Sequence, residues 1–438
     1  MGRQLGSGTR TNLLLARTTP KRLLFWLLLI GFQCSEAFAG GYAVNPKTAK
    51  AASQANAVTA GVDDPSAVYV NPAALSEIQG NQVLGGFTYV NSQSRVANSG
   101  RKSINRHDDT FIPTLFGNYH MPANLTLGIG LYTPFGLATT YDADSFTRFA
   151  AIRSELKTFY VTPAIAWRPS QYFSLGAGVS FVHSSAVLSR AVFLGGPEGR
   201  LRITDADNAF AYNFGLLLKP LSRLKLGFTY RSRVDLDYGN AKVKFKDAAI
   251  TGGTATVGRA TGIHVPLPPV ISFGMNWQVN PAWTVEFVYD FTRWSEFRHL
   301  SAKFNPSLPA LGGVVEIPGF SVPQNWKDTS TLRLGSWLKL DEKIELRGGI
   351  GVDETPIPAK TLSPAIPGAD WLTLTAGIGY DCTKNFGVDL GYMAVFYKTR
   401  KVTSDALEAG SPLNPVAPGR DRYETFQNLV LLNLRYRF

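Results

Sequence analysis

The stretch WTVEFVYDF, residues 283–291, alternates between two kinds of side chain. Its odd-numbered positions hold Trp, Val, Phe, Tyr and Phe, and its even-numbered positions hold Thr, Glu, Val and Asp. FGVDLGYMAVF, residues 386–396, repeats the pattern, with Phe, Val, Leu, Tyr, Ala and Phe on one side. Successive side chains of a β-strand point to opposite faces, so each stretch predicts a strand with one apolar, aromatic face.

About fourteen segments of this kind follow one another, as an even-stranded barrel requires. They begin near Val83, Phe111, Leu125, Lys157, Phe173, Asn208, Leu224, Val270, Trp283, Ser330, Ile344, Trp371, Phe386 and Gln427. Short links (MPAN, RPSQ, KPLS, VNPA, DEK and TKN) alternate with links that are mostly long: 141–155, 191–205, 239–268, 298–329 and 400–425. This alternation is typical of outer-membrane barrels and not of soluble β-sandwiches. We therefore predict an all-β fold, a transmembrane antiparallel β-barrel of about 14 strands over residues 82–438.

Residues 1–39 have the layout of a secretory signal peptide. The apolar run LLFWLLLIG, residues 23–31, precedes Ala37-Phe38-Ala39, which matches a cleavage pattern. Basic side chains come before the run: Arg3, Arg10, Arg17, Lys21 and Arg22. The run is far shorter than the roughly 20 residues that a spanning helix needs. Cleavage there would leave Cys382 as the single cysteine, so we predict no disulfide, and we predict no metal site and no cofactor.

The C-terminal segment QNLVLLNLRYRF ends in Phe438, and Leu432, Leu434 and Tyr436 share its face. A terminal aromatic residue on an alternating last strand resembles the signal that the outer-membrane assembly machinery reads, so we expect that machinery as a partner. The formal net charge is +12, and the basic residues are scattered without a nucleic-acid motif. We interpret the charge as compatible with outer-membrane lipid and lipopolysaccharide, and we predict no nucleic-acid partner.

Residues 40–81 precede the first predicted strand and are rich in Ala, Asn, Gly and Ser. They include VDDPSAVYVNPAAL, residues 62–75, in which Asn71-Pro72 would end a short helix and turn the chain. A barrel of about fourteen strands leaves an aqueous lumen unless something fills it. We predict that residues 40–81 fold inside the lumen as an N-terminal plug. A disordered periplasmic leader is the alternative.

The order of these features resembles the FadL/TodX family (OmpP1-like) of outer-membrane transporters for long-chain fatty acids and other hydrophobic molecules. The signal peptide is followed by GVDDPSAVYVNPAAL, a TPFGL strand and the aromatic last strand. Further stretches that carry the resemblance are LGFTYRSRV, VNPAWTVEFVYDFTRWSEF and GGIGVDETPIPA. The resemblance implies that the plug is a hatch containing Asn71, Pro72 and Ala73, and that the protein is a monomer in the bacterial outer membrane.

LGIGLYTPFGLATTY, residues 127–141, is the predicted site of a lateral gate. Pro134 removes a hydrogen bond of the sheet, and Gly136 permits a bulge or kink. The resemblance implies that the third strand is kinked inward at Pro134, Phe135 and Gly136, which makes an opening in the barrel wall. A bulge near the barrel rim is the alternative.

A fatty-acid carboxylate in an apolar pocket needs a cationic partner. The resemblance places an arginine after the fifth strand and a lysine near the start of the tenth, and the matching positions are Arg190 and Lys327. Both could instead be solvated loop charges. The loop that carries Arg190 is short, so we expect the loop 239–268, with Ile250, Val257, Ile263 and Val265, to supply more of the external capture site.

These features predict a channel for passive uptake of long-chain fatty acids through a luminal apolar site. Uptake of monoaromatic hydrocarbons or other neutral hydrophobic compounds is the alternative. A general porin would not need the plug, and an adhesive role of the loops is a more distant possibility. An enzyme is disfavoured because, of the five histidines, His183 alone has hydroxyl residues beside it, and adjacent strand residues point to opposite faces.

Overall fold

The computed structural model describes residues 41–44, 48–98, 100–105, 109–192, 198–247, 253–306, 308–310, 313–315, 319–403 and 420–438. The predicted signal peptide therefore lies outside the described residues. Fourteen strands form a closed antiparallel barrel. They are β1 (Gln82–Asn98), β2 (Thr110–Met121), β3 in two pieces (Leu125–Tyr132 and Gly136–Thr140), β4 (Arg153–Ser170), β5 (Phe173–Val192), β6 (Gly199–Leu221), β7 (Leu224–Arg231), β8 (Val270–Gln278), β9 (Trp283–Thr292), β10 (Thr329–Lys339), β11 (Ile344–Asp353), β12 (Trp371–Asp381), β13 (Phe386–Tyr397) and β14 (Arg420–Arg437).

The first and last strands close the ring. β1 and β14 are paired without interruption from Gln82 opposite Arg437 to Ala97 opposite Arg422. The predicted barrel and its strand number are thus confirmed. β4, β6 and β14 begin several residues before the predicted positions, because their outer ends continue as sheet into segments that the sequence pattern assigned to external loops.

The outer surface of the barrel is apolar, and the inner surface is polar. Outward-facing side chains are large and exposed, as Leu175, Val179 and Phe181 of β5 show. Inward-facing positions hold buried polar groups such as Glu286, Arg347 and Asp389. This distribution follows from the two-residue period of the sequence, because alternate side chains meet the bilayer and the lumen.

Further short strands extend the wall at the end with the long loops, which is the external end of outer-membrane barrels. One pair, Val234–Tyr238 with Ile263–Leu267, forms a separate two-stranded antiparallel sheet. The others are Arg101–Ile104, Ala241–Asp247, Gly253–Thr261, His299–Pro306, Leu308–Ala310, Gly313–Val315, Phe320–Pro323 and Arg400–Thr403. Single turns of 3-10 helix lie at Trp294–Glu296 and Ala359–Thr361.

The N-terminal segment, residues 48–81, is compact. It contains α1 (Ala49–Ala52), α2 (Ala67–Val70) and a 3-10 helix at Pro72–Glu77. The 3-10 helix packs against β4, β5 and β6, whereas α1 packs against β12, β13 and β14. These two groups of strands are far apart in the order of the fourteen strands, so the segment contacts the barrel wall at two separate places. Among the described residues, no helix combines the length and the apolar character that crossing a membrane requires.

Candidate functional site

Asn71 ties the N-terminal segment to the barrel wall. Its side-chain amide donates hydrogen bonds to the carbonyl oxygens of Thr59, at 2.8 Å, and of Leu216 on β6, at 3.3 Å. Its side-chain oxygen accepts a bond of 3.2 Å from the backbone N–H of Ala73. Asn71 is fully buried and ends α2, and Pro72 begins the 3-10 helix, as the sequence predicts.

Two glycines of the wall allow this close approach. A Cβ atom on Gly215 of β6 would overlap the side-chain oxygen of Asn71, and one on Gly176 of β5 would overlap the backbone of Pro72. Any other residue at these positions would therefore displace the Asn71-Pro72 turn.

Charged side chains bind the N-terminal segment to the barrel wall at other positions. Glu286 of β9 is fully buried and accepts bonds from the backbone N–H of Ala60, at 2.6 Å, and from the amide of Asn276, at 2.8 Å. The ammonium of Lys50 lies 2.8 Å from Asp63 and 3.6 Å from Glu345 of β11. Burial alone would raise the pKa of Asp63, but the charge of Lys50 and its hydrogen bond hold that pKa well below its usual value.

The barrel sheet is interrupted at the predicted kink. The first piece of β3, Leu125–Tyr132, pairs with both β2 and β4. The second piece, Gly136–Thr140, pairs with β4 alone among the described strands. The facing part of β2, Thr110–Thr114, pairs with β1 and not with β3. The hydrogen-bonded wall is therefore open between β2 and the second piece of β3.

The start of the described chain takes the place of the missing strand partner. The N–H of Val44 donates to the carbonyl oxygen of Pro134 at 2.8 Å, and the N–H of Gly136 donates to the carbonyl oxygen of Tyr42 at 2.8 Å. Ala43 and Phe135 form a bridge between these bonds. The sequence does not predict this contact, because the GGYAV stretch before the helices has no recognised motif.

Tyr42 also sits in an aromatic cluster with Phe135, Trp294, Phe297 and Trp326. Its ring centroid is 4.9 Å from that of Trp294, 5.4 Å from that of Trp326 and 5.9 Å from that of Phe297. The Tyr42 hydroxyl donates to the carbonyl oxygen of Pro266. All these rings except Phe135 are at most 3% exposed, and edge-to-face pairs at such distances are favourable.

A large apolar cavity lies on one side of this aromatic cluster. It encloses about 760 Å³ of space, which includes solvent at its open mouth. Its apolar wall includes Leu137, Leu156, Val187, Leu188, Ile263 and Val265, with Tyr42 and Phe297 of the aromatic cluster. Ile263 and Val265 belong to the predicted capture loop, whereas the side chains of Ile250 and Val257 lie outside the described part of the chain.

The charged residues that line the cavity are Glu155 and Asp205. Glu155 forms ion pairs with Arg153 and with Lys157, the latter at 2.6 Å. The negative charge of Glu155 is therefore compensated, and the cavity has no cation of its own among the described residues that line it.

Arg190 is buried beside the cavity wall without lining it. It is 3% exposed, and its guanidinium carbon lies 4.5 Å from the ring centroid of Phe320, which does line the cavity. Within the described residues, the Nε and Nη2 atoms of Arg190 have no hydrogen-bond partner. Lys327 is exposed, and its backbone N–H donates to the carbonyl oxygen of Pro356 at 2.9 Å. Neither Arg190 nor Lys327 is among the described residues that line the large cavity.

Two smaller cavities, of about 380 and 530 Å³, lie on the other side of the aromatic cluster. Both are lined by Tyr69, Pro134, Phe135, Arg231 and Val270, so they meet at the kink of β3. Tyr42 and Phe297 line the large cavity, whereas Phe135 lines both smaller ones, so the aromatic cluster lies between the large cavity and the smaller ones.

His183 and Ser184 do not form a catalytic pair. His183 is exposed and its Nδ1 lies 2.8 Å from the side-chain oxygen of Asn208, whereas Ser184 is buried and bonds the hydroxyl of Tyr238 at 2.8 Å. Among the described residues, no group of three His, Cys, Asp or Glu could hold a metal ion.

The chain matches known proteins over most of its length. Residues 30–438 match the family model of the outer membrane protein transport protein (OMPP1/FadL/TodX). Outer membrane protein P1 of Haemophilus influenzae is 26% identical, covering 86% of this chain and 90% of that protein. The long-chain fatty acid transport protein of Escherichia coli K12 is 24% identical, covering 82% and 88%.

The fold has also been solved in a relative. The crystal structure of the Pseudomonas putida toluene transporter TodX superposes with a TM-score of 0.72 at 18% identity, over 90% of this chain and 99% of that one. The family model matches nearly the whole chain, and the fold is the closed barrel of that family. The chain belongs to the OMPP1/FadL/TodX family of outer-membrane channels for hydrophobic substrates.

Proposed function

We propose that this protein takes up long-chain fatty acids passively across the bacterial outer membrane. The observation that carries the proposal is Arg190, which is buried beside the apolar cavity with two nitrogen atoms unpartnered among the described residues. A buried, unpaired guanidinium is costly, and a carboxylate is the anion that fits its donors. A fatty acid would pair with Arg190 and lay its tail along the apolar wall. Lys327 would assist at the external end.

The N-terminal segment acts as the hatch in this proposal. Asn71, Pro72 and Ala73 lock it against β5 and β6, so that the lumen is closed to solutes below the cavity. The aromatic cluster around Tyr42 is the inner barrier between the cavity and the kink. Movement of residues 41–44 away from Pro134 and Gly136 would join the cavities. The substrate would then leave sideways through the opening between β2 and β3, and enter the bilayer.

Neutral aromatic hydrocarbons are the second candidate. The observation that favours them is the composition of the cavity wall, whose charged members are Glu155 and Asp205. Because Glu155 is paired with Arg153 and Lys157, Asp205 is the carboxylate that would repel a fatty-acid head group that failed to reach Arg190, and it would not hinder an uncharged ring. The toluene transporter shares the fold, although a likeness at that identity does not decide the substrate.

Uptake of labelled oleate and labelled toluene by a host without its own hydrophobic-compound channel tests the two candidates. We expect Arg190→Gln to lower oleate uptake at least about tenfold, because it removes a charge-assisted hydrogen bond, and to leave toluene uptake unchanged. Lys327→Gln should have a smaller effect. Arg223→Gln, an exposed arginine in a short turn at the other end of the barrel, is the control. Background oleate uptake with a correctly inserted barrel would refute the fatty-acid assignment, and toluene uptake would then support the second candidate.

We further infer that the protein acts as a monomer and that the assembly machinery reads its C-terminus. Phe438 is 61% exposed and stacks on Tyr436 at a centroid distance of 6.2 Å. An accessible terminal aromatic pair supports recognition during insertion. Phe438→Ala should reduce the amount of folded barrel in the outer membrane, as measured by the heat-modifiable mobility of the protein on a gel.

A further inference from the structure

A sheet with one strongly basic face extends above the lipid-facing part of β6. The outer end of β6 pairs with Ala241–Asp247, and that strand pairs with Gly253–Thr261. One face of this sheet, called the basic face below, carries Arg200, Arg202, Lys242, Lys244, Lys246 and Arg259. All of these side chains are exposed except Arg200, which is partly exposed.

The basic residues stand directly opposite one another across the strands. Lys244 faces Arg202, and Lys246 faces Arg200 on β6. Lys242 faces Arg259 on the other neighbouring strand. Directly opposed side chains lie about 5 Å apart in an antiparallel sheet, and like charges there are destabilising. Three such pairs in one small sheet concentrate positive charge at a cost in stability.

Among the described residues, no acidic side chain compensates this charge. Within the described part of the chain, these six side chains form no ion pair with an acid, and Arg259 bonds the backbone carbonyl of Asn240 at 3.1 Å. Glu198, just before the outward row on β6, is paired with Arg148 at 2.9 Å. The outward positions of residues 200–204, 241–246 and 258–261 hold no carboxylate. The basic face is therefore complementary to a cluster of anions outside the protein.

The opposite face fixes the geometry of the basic residues. The side chains on that face form a buried apolar cluster: Val192, Leu201, Ile203, Ala241, Val243, Phe245 and Ala260. Since these positions alternate with the basic ones, the packed cluster holds the cations in place on the other side. The charges belong to an ordered sheet and not to an unstructured loop.

The position of the basic face indicates its surroundings. Phe210, Tyr212 and Phe214 are 73%, 49% and 52% exposed on the same side of β6, where the barrel meets the bilayer. Arg202 lies on that same side, about 26 Å further along the strand at roughly 3.3 Å per residue. The basic face therefore looks sideways, away from the lumen, at the layer of head groups and sugars that surrounds the barrel.

We propose that the basic face binds the phosphorylated core of lipopolysaccharide molecules next to the barrel. Clustered phosphates supply the anions that lysine ammonium and arginine guanidinium groups recognise. Each basic side chain near an anionic lipid layer adds to the attraction, and the sum is sensitive to salt. This binding goes beyond transport and does not depend on which hydrophobic substrate the channel carries.

The test measures binding of rough-type lipopolysaccharide to the purified full-length barrel in detergent, by microscale thermophoresis. The test variant is Lys242→Gln/Lys244→Gln/Lys246→Gln. The matched control is Lys339→Gln/Lys343→Gln/Lys384→Gln, which removes the same charge from exposed lysines at the other end of the barrel. Dephosphorylated lipopolysaccharide and heparin serve as comparison ligands, and heat-modifiable mobility on a gel shows that each variant is folded.

We expect the test variant to bind phosphorylated lipopolysaccharide at least about tenfold more weakly than the unaltered protein, and the control to bind normally. The affinity of the unaltered protein should fall steeply as salt is added, and dephosphorylation should weaken binding by a similar factor. Equal losses in both variants, or indifference to salt and to phosphate, would overturn the proposal. Binding of heparin through the same lysines without binding of lipopolysaccharide would overturn it as well, and would indicate a sulfated glycan instead.

Discussion

Replacing Asn71 by alanine should release the N-terminal segment from the barrel wall without unfolding the barrel. The substitution removes three hydrogen bonds: two to the carbonyl oxygens of Thr59 and Leu216, and one from the N–H of Ala73. Each is worth about 1 kcal/mol when its partners stay buried. The sum lowers the free energy of local opening by about 3 kcal/mol. Since 1.4 kcal/mol corresponds to about a factor of ten, exchange protection in the segment should fall roughly 100-fold.

Hydrogen–deuterium exchange of the detergent-solubilised protein measures this effect directly. Peptides covering residues 57–77 should exchange faster in Asn71→Ala, while peptides from β11 to β14 should not change. Asn280→Ala is the control, because Asn280 accepts two hydrogen bonds of 2.9 Å, from the N–H groups of Ala282 and Trp283, in an exposed turn. Exchange at residues 57–77 that rises less than about threefold, or that rises equally in the control, would refute the view that Asn71 locks the segment.

Three further substitutions probe the same arrangement. Gly215→Val should displace the Asn71-Pro72 turn and destabilise the packed segment by about 1 to 3 kcal/mol through overpacking. The change should appear as faster exchange at residues 57–77. An unchanged exchange pattern would contradict the steric argument. Tyr42→Ala should remove the centre of the aromatic cluster. A fluorescent fatty acid should then leave the purified channel faster in stopped-flow measurements. An unaltered release rate would mean that the cluster is not the inner barrier. Asp63 has a pKa held below its usual value, so its contribution is present above its ordinary pKa and is lost only in stronger acid. Asp63→Asn should therefore speed exchange at residues 48–63 throughout about pH 5 to 8. An effect seen only at the lowest pH of this range would contradict the expectation that ionised Asp63 stabilises the segment.

The barrel could be predicted from the sequence because its signal is local. The two-residue alternation of WTVEFVYDF indicates which side chains contact lipid, and the short turns indicate which strands are neighbours. The break in the third strand was predictable for the same reason. Pro134 lacks a backbone N–H, so it cannot donate a hydrogen bond to the sheet in any tertiary structure. The structure indeed divides β3 at that point.

The partners across the lumen were decided by the tertiary structure alone. Tyr42 and Val44 form hydrogen bonds with Pro134 and Gly136 at the kink, and Tyr42 packs against rings from the third strand and from the external loop between β9 and β10. These contacts link residues far apart in sequence, and nothing in the local pattern around Tyr42 distinguishes it from other aromatic residues. The same holds for Arg190. The sequence shows that Arg190 is a cation near the end of a strand. Only the packing of Phe320 and the surrounding wall makes that cation buried and unpartnered among the described residues. Burial depends on which distant side chains the closed barrel brings together, and a local sequence pattern does not contain that information.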